Sequence, residues 1–339
     1  MTALSNCLQA FSRAERPASD DIAGAFAELM DGTASDPAIA GFLMGLAARG
    51  ETPADIAAGA RVMRARMTRI EAPEGAIDTC GTGGDGKGAY NISTAAAIVA
   101  AGAGAIVAKH GNRAASSKSG SSDVLAALGI ELDCGVDLIE RSLREAGAGF
   151  LFAPAHHSAV RHVGAARQAL GVRTVFNLLG PLSNPAGVKR QLLGVYHKRW
   201  LVPMAEALRD LGCQRALVIC GADGMDEITT TAATHIAELR RGEIRTFDFH
   251  PGEAGIDLAG EADLRGGDPA FNAAAIDRLL AGETGPFRDI VRLNAGAALV
   301  VADKAPTIAA GADMAAAALD DGRARATLDR MIAISRGEA

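Results

Sequence analysis

The stretch from residue 78 to residue 123 constrains this chain more than any other. It opens Asp78-Thr79-Cys80-Gly81-Thr82-Gly83-Gly84-Asp85 and continues through Asn91-Ile92-Ser93-Thr94 into an apolar run at residues 95–103. A second polar block follows: Lys109-His110-Gly111-Asn112-Arg113-Ala114-Ala115-Ser116-Ser117-Lys118-Ser119-Gly120-Ser121-Ser122. Gly81, Gly83 and Gly84 remove side chains where the backbone must turn sharply, so their amide N–H groups can converge on an anion. Asn91 to Thr94 place hydroxyls and open N–H groups at a helix N-terminus, where phosphate is favoured. Two such cradles, separated by one helix and one strand, point to a ligand with more than one phosphate.

Glycines alone also serve ordinary tight turns. Here the cluster follows an apolar β-type run and precedes a capped helix, the context a phosphate loop requires. The spacing is neither GxxxxGK[ST] nor GxGxxG, which sets adenine-nucleotide readings aside. In the second block Lys109, Asn112, Arg113 and the serines crowd a span whose sole acid is Asp123. Such a span repels itself unless an anion sits in it.

From residue 76 onward short β-type runs alternate with helical ones, with strands expected at residues 76–78, 105–108, 150–152, 191–195 and 216–220. A hairpin is expected at residues 235–249, and the chain reads as helical beyond Pro269. The alternation predicts an α/β domain whose mainly parallel central sheet is covered by helices, with the ligand loops at strand C-termini. Residues 3–68 show helical periodicity instead, Thr52 and Pro53 being suited to cap and start a helix. Residues 158–170 read as one amphipathic helix, followed by a turn-rich segment to Pro185. This excursion is expected to rejoin the helical start. The division is then a small all-helical subdomain, residues 1–70 with roughly 158–186, and a larger α/β domain holding the phosphate cradles, residues 71–157 and 187–339.

Composition narrows the function. Aromatics are 4% against 49% hydrophobic residues, so the core must be built from Ala, Val, Leu and Ile. A net charge of -6 argues against a nucleic-acid surface. The 5 cysteines show no CxxC spacing, which fits a reducing compartment. With no basic-then-apolar leader and no apolar run long enough to span a bilayer, the chain reads as cytoplasmic, without membrane contact.

Asp226 and Glu227 follow a glycine-containing loop after an expected strand. Adjacent carboxylates are usually solvated surface; beside a phosphate site they are oxygen ligands suited to Mg²⁺, and the Ser93 hydroxyl could complete the set. His156, His157 and His162 lack zinc-ligand spacing. Arg161 or Arg167 could reach a carboxylate. Cys80 has no base placed near it by sequence and reads as a small filler.

Taken together, residues 78–86, 91–94, 109–117, 121–129, 161–167 and 177–185 with Asp226-Glu227 resemble the anthranilate phosphoribosyltransferase family. The resemblance implies a homodimer with the active site in the hinge between the two subdomains. It implies the substrates anthranilate and 5-phosphoribosyl-1-diphosphate. It assigns the donor to Gly81, Gly84, Asp85, Asn91, Ile92, Ser93, Thr94, Lys109, His110, Gly111, Asn112, Arg113, Ala114, Ala115, Ser116, Ser117 and Ser121. Anthranilate falls to Gly81, Asn112 and Arg167, and two Mg²⁺ ions to Ser93, Asp226 and Glu227. Lys109, His110, Asp226 and Glu227 are the catalytic candidates, His110 as an aid to the proton's departure. Two positions depart from the pattern: Ala89 stands where threonine is usual, and Ser158 replaces a common proline, which loosens the start of that helix. A pyrimidine nucleoside phosphorylase has a similar fold and lysine–serine loop but carries a further C-terminal domain for which this chain has little room. A nucleic-acid-binding relative without the chemistry fits poorly with the acidic balance and the intact acid pair.

Overall fold

The computed structural model describes residues 1–113 and 118–338. The chain begins with helices α1 (Ala3–Ser12), α2 (Ser19–Met30), α3 (Asp36–Arg49) and α4 (Pro53–Arg66). Thr52 starts α4 as expected: its hydroxyl accepts from Asp55 N while the Asp55 carboxylate accepts from Thr52 N, with Pro53 in the first turn. Phe26 and Phe42, both buried, meet edge to face at 5.2 Å.

The α/β part then follows: β1 (Asp78–Gly81), α5 (Ile92–Gly102), β2 (Val107–Gly111), α6 (Ser121–Ala127), α7 (Val136–Glu145) and β3 (Ala148–Phe152). After the excursion come β4 (Arg190–Gly194), a helix at Leu201–Asp210, and β5 (Arg215–Gly221), β6 (Thr234–Arg240) and β7 (Glu243–Phe249). Among the described residues one sheet has the order β1-β4-β5-β6-β7 and a parallel pair joins β2 to β3. A parallel bridge between Ile77 and Val107 brings the pair alongside β1. The strands from β3 across to β5 are parallel, and the antiparallel pairings are those made by β6, with β5 and with β7. The chain leaves β1 toward β2 on one side and later returns to β4 on the other, so the crevice of this open sheet falls at the C-terminal ends of β1 and β4.

Two expectations shift. The strand expected to end at residue 108 continues to Gly111, so Lys109 and His110 lie inside β2, paired with Phe150 and Leu151, and not in a solvated loop. Residues 158–170 are not one α-helix: a 3₁₀ turn at Ser158–Val163 precedes a helix at Gly164–Leu170. His157 makes no side-chain cap there, and without a capped start the first turn tightens to 3₁₀. The excursion does pack on the N-terminal helices, the 3₁₀ turn on α2, the following helix on α3 and residues 176–179 on α4.

Beyond Pro269 lie helices Pro269–Leu280, Pro286–Val301, Ile308–Asp320 and Arg323–Ser335. The last three pack on α5 and the first on α6; α5, apolar beyond its first turn, is buried on almost every side, as such a helix must be. Small residues make this close packing work. Where helix 286–301 meets helix 308–320, a Cβ on Gly311 would stand 2.5 Å from the Gly296 carbonyl oxygen. No helix among the described residues is long and apolar enough to cross a membrane.

Gly→Ala inside a helix ordinarily stabilises by about 1 kcal/mol. Gly311→Ala should do the opposite, lowering stability by about 1–3 kcal/mol through overpacking. The expected readout is a lower urea midpoint with an unchanged slope, while Ala317→Ser on the exposed face of the same helix shifts it by less than about 0.5 kcal/mol.

Candidate active site

Gly81 and Gly194 sit opposite each other where β1 and β4 end. Both must be glycine for one reason. The 221–231 loop folds back over the two strand ends, so that a Cβ on Gly194 would lie 1.7 Å from the Asp226 carbonyl oxygen, and one on Gly81 2.4 Å from its carboxylate. That carboxylate accepts from Gly83 N at 2.9 Å. Gly83 and Gly84 take the left-handed φ values of 63° and 75° that the turn needs.

The neighbouring Glu227 carboxylate accepts from Ser93 N at 3.0 Å, in the first turn of α5. Burial raises both acids well above the usual carboxylate range; Asp85 adds repulsion at Asp226, and Asp226 adds it at Glu227. Asn294, fully buried, braces the loop by gripping the next peptide: it accepts from Ile228 N and donates to Ile228 O, both at 2.9 Å. Asp223 holds the far side through the hydroxyls of Thr229 and Thr231.

Lys109 reaches into this group from β2. Its ammonium donates to Thr79 O at 2.6 Å and to Ser93 Oγ at 3.2 Å, and burial lowers its pKa. His110 turns the other way. Its backbone N–H donates to the buried Asp78 carboxylate at 3.0 Å, and its ring lies 5.1 Å from that of His157. Burial, then the neighbouring imidazoles, push His110 down to about 3. The ring is therefore neutral and a weak base. Cys80 is no nucleophile either, since burial raises its thiol well above the ordinary value.

The remaining expected residues divide by what their side chains do. Asn112 and Arg113 are exposed, and the Arg113 guanidinium lies 5.8 Å from the Phe152 ring. Gly111 has little room for a side chain, since a Cβ there would stand 2.8 Å from the Phe150 ring and displace the Ser121 hydroxyl. Ile92 points its side chain into a cluster with Met225, Leu264 and Ile290, leaving its backbone to face the cleft. Thr94 is buried. Ala114, Ala115, Ser116 and Ser117 lie outside the described residues.

Two cavities meet here. One, about 970 Å³, is lined by the glycine loop, the start of α5, Lys109, Asp85, Asp226 and Glu227. The other, about 600 Å³, lies toward the helical layer and has a largely apolar wall of Met63, Ala153, Pro154, Val160, Phe176 and Pro181. Gly81, Asn112 and Arg167 line both. The Arg167 guanidinium lies over the Phe176 ring at 5.3 Å.

Sequence reasoning passed over Arg173, Thr82 and Asn294. Arg173 lies 4.3 Å from the Tyr196 ring centroid and donates to Gly84 O, while Thr82 Oγ1 accepts from Tyr196 N at 3.0 Å. The arginine in Gly171-Val172-Arg173-Thr174 carries no spacing signal; its closeness to the glycine loop is a product of the tertiary fold.

The family models that match this helical layer and α/β sheet, with its split cleft at the strand ends, place the chain among the glycosyl transferases. Residues 6–67 match the glycosyl transferase family, helical bundle domain, and residues 73–325 the glycosyl transferase family, a/b domain. Within that class the chain belongs to the anthranilate phosphoribosyltransferases. It is 74% identical over 333 residues to the enzyme of that name from Maricaulis maris, covering 98% of each chain, and 58% identical to that of Rhodospirillum rubrum over 94% of this chain and 92% of the relative. The crystal structure of the Thermus thermophilus enzyme superposes with a TM-score of 0.93 at 43% identity, over 99% of this chain and 100% of that one. The Saccharomyces cerevisiae enzyme in complex with PRPP and Mg superposes at 0.90 with 25% identity, over 99% and 98%.

Because folding raises the Asp226 and Glu227 carboxyls, the folded chain retains protons that the unfolded chain has released near neutral pH. The pair therefore opposes folding increasingly as pH rises, and its cost disappears below the ordinary carboxylate range, about 4. Without metal at pH 8, Glu227→Gln should raise the melting temperature by about 2–4 °C, with the gain closing as the pH approaches 4. Calorimetry across that range reads it directly.

Proposed function

We propose that this protein transfers the phosphoribosyl group of 5-phosphoribosyl-1-diphosphate to the amine of anthranilate, giving N-(5-phosphoribosyl)anthranilate and pyrophosphate, the second step from chorismate in L-tryptophan biosynthesis. The observation that carries the reading is the seam at Gly81, Asn112 and Arg167, where an amide-lined polar cavity opens into an apolar one. A polyanionic donor and a small aromatic acid require such unlike halves.

The donor lies against the glycine loop and the first turn of α5, whose amides and hydroxyls take its phosphates. Anthranilate occupies the apolar half, with Arg167 and Asn112 facing its carboxylate. As the diphosphate leaves, negative charge gathers on its oxygens and positive charge on the ribose ring. Lys109 and the backbone amides sit on the side where the negative charge forms and stabilise it without reorganising. The amine of anthranilate is neutral at pH 7, so attack needs no strong base. His110, neutral and buried, contributes a wall of the acceptor half; the amine's proton passes to solvent.

The donor set at Asp226 and Glu227 fits a hard divalent cation: half-buried carboxylates beside Asp85, raised by desolvation and mutual repulsion. Among the described residues no three carboxylate, imidazole or thiol groups could hold a metal by themselves. Magnesium keeps water and substrate oxygens in its shell, so it needs few protein donors. Asp226, Glu227 and the Ser93 hydroxyl would hold two Mg²⁺ ions per subunit, which neutralise leaving-group charge when bound. The same reading makes the protein a cytoplasmic homodimer.

Anthranilate fluorescence followed over time should fall only when protein, donor and Mg²⁺ are all present. Consumption that persists without donor or metal overturns the reading. Lys109→Met should lower kcat by about 10²–10³-fold, the loss expected for one charge-stabilising donor. His110→Ala should lower it by less than about tenfold, below the lower range for a working acid–base group.

A further inference from the structure

Asn91 stands at the N-cap of α5 but makes no side-chain cap bond, although an asparagine there ordinarily closes one of the open amides of the first turn. Its amide is turned outward. The Asn91 Oδ1 accepts from Ser119 Oγ at 3.0 Å and from Asn272 Nδ2 at 2.8 Å, while Asn91 Nδ2 donates to Ser119 O at 3.2 Å. A carbonyl oxygen offers two lone pairs, and both are taken. Asn91 thus spans the cleft from the start of α5 to the second polar block.

Asn272 lies in the first turn of the helix Pro269–Leu280 and is 1% exposed. Its own orientation is fixed, because its Oδ1 accepts from Gly267 N at 2.8 Å, which leaves Nδ2 to point at Asn91. The segment before it is pressed against the glycine loop: Gly266 N donates to Gly88 O at 2.9 Å, and the Phe271 and Tyr90 rings stack at 5.9 Å.

We propose that Asn272 is a positioning residue for the phosphoribosyl donor: it holds the Asn91 amide away from the start of α5, so that the Thr94 N–H, the first-turn amide taken neither by Glu227 nor by Tyr90 O, stays open for phosphate and the two cradles keep a fixed separation. The inference rests on the reading of the cleft given above, and it adds a residue from the C-terminal helical layer to the donor site. Without the Asn272 donor, Asn91 keeps only its bonds to the exchangeable Ser119 hydroxyl and carbonyl, and its Oδ1 can swing onto its own helix and close the Thr94 amide.

Asn272→Asp keeps the acceptor for Gly267 N and removes the donor, setting a carboxylate oxygen against Asn91 Oδ1. In the full-length protein, calorimetric titration with Mg²⁺ and 5-phosphoribosyl-1-diphosphate should show Kd raised about tenfold, as for one lost buried hydrogen bond. KM for anthranilate should stay within about twofold and the melting temperature within a few degrees, as expected for an effect confined to the donor half. In an Asn91→Ala background the same substitution should add less than about twofold, since residues acting through one another are non-additive. Asn272→Ala supplies the same comparison if the aspartate variant does not fold. Unchanged donor affinity, or effects that multiply in the double variant, overturn the role of Asn272. A wild-type protein that binds no donor overturns the reading of the cleft and this role with it; a wild type that binds donor but does not consume anthranilate overturns the acceptor assignment alone.

Discussion

The end of the sheet is organised by two adjacent half-buried carboxylates held by backbone amides from different elements. Asp226 accepts from the glycine loop and Glu227 from the first turn of α5. Burying two acids side by side is costly unless their oxygens are satisfied, and single hydrogen bonds leave most of that cost in place, as their raised pKa values register. The surroundings must therefore hold the pair by force of packing. Asn294 and Asp223 do so within the loop. The glycines at 81 and 194 supply the space, because any side chain there would strike the Asp226 residue.

The small-residue composition follows from the same demand. A helix whose N-terminus serves as an anion site must aim that end at the sheet's C-terminal edge while the rest of it is enclosed. Helix α5 is alanine-rich and buried almost all round, so the last helix can close over it at near backbone contact, as at Gly102, where a Cβ would stand 2.6 Å from Ala324 Cα. Packing of the C-terminal helices on α5 and α6 also carries Asn294 and Asn272 to the cleft. A protein with a bulkier, aromatic core would hold its C-terminal helices farther off, out of side-chain reach of the loops.

Much of this was legible in the chain because it depends on local rules. The Thr52–Pro53 helix start, the alternation of strands and helices, the hairpin at residues 235–249 and the glycine loop each follow from propensity, capping or turn chemistry. The closeness of Ser93 and Glu227 is instead a product of sheet topology, both standing beyond the C-terminal ends of strands in one sheet. The misplaced details depend on tertiary context. Lys109 and His110 read as loop residues because they are polar, yet pairing with β3 draws them into the sheet and burial strips them of solvent. The 3₁₀ turn at Ser158–Val163 keeps a helical hydrophobic pattern, and periodicity cannot distinguish three residues per turn from 3.6 over so short a span. Asn272 and Asn294 were silent because a helical asparagine carries no motif; its meaning lies in what it faces.

The division of the cleft has a physical cause beyond convenience. A diphosphate is stable only among donors and cations, whereas a neutral aromatic amine gains by leaving water. One uniform pocket would serve one reactant and repel the other. The fold separates the two demands by assigning them to different layers, sheet-end amides on one side and the apolar wall with Met63, Val160 and Phe176 on the other. The reacting atoms must then meet at the seam, and the residues there have to suit both. Gly81 does so by having no side chain, and Arg167 by laying its cation over the Phe176 ring at 5.3 Å, which lets a positive charge sit in an apolar wall. In the proposed reading a half-buried cation on the acceptor side, in a wall that also holds the neutral His110, suits a carboxylate and an uncharged amine. The seam thus selects an acid that is also an uncharged nucleophile, the combination anthranilate has.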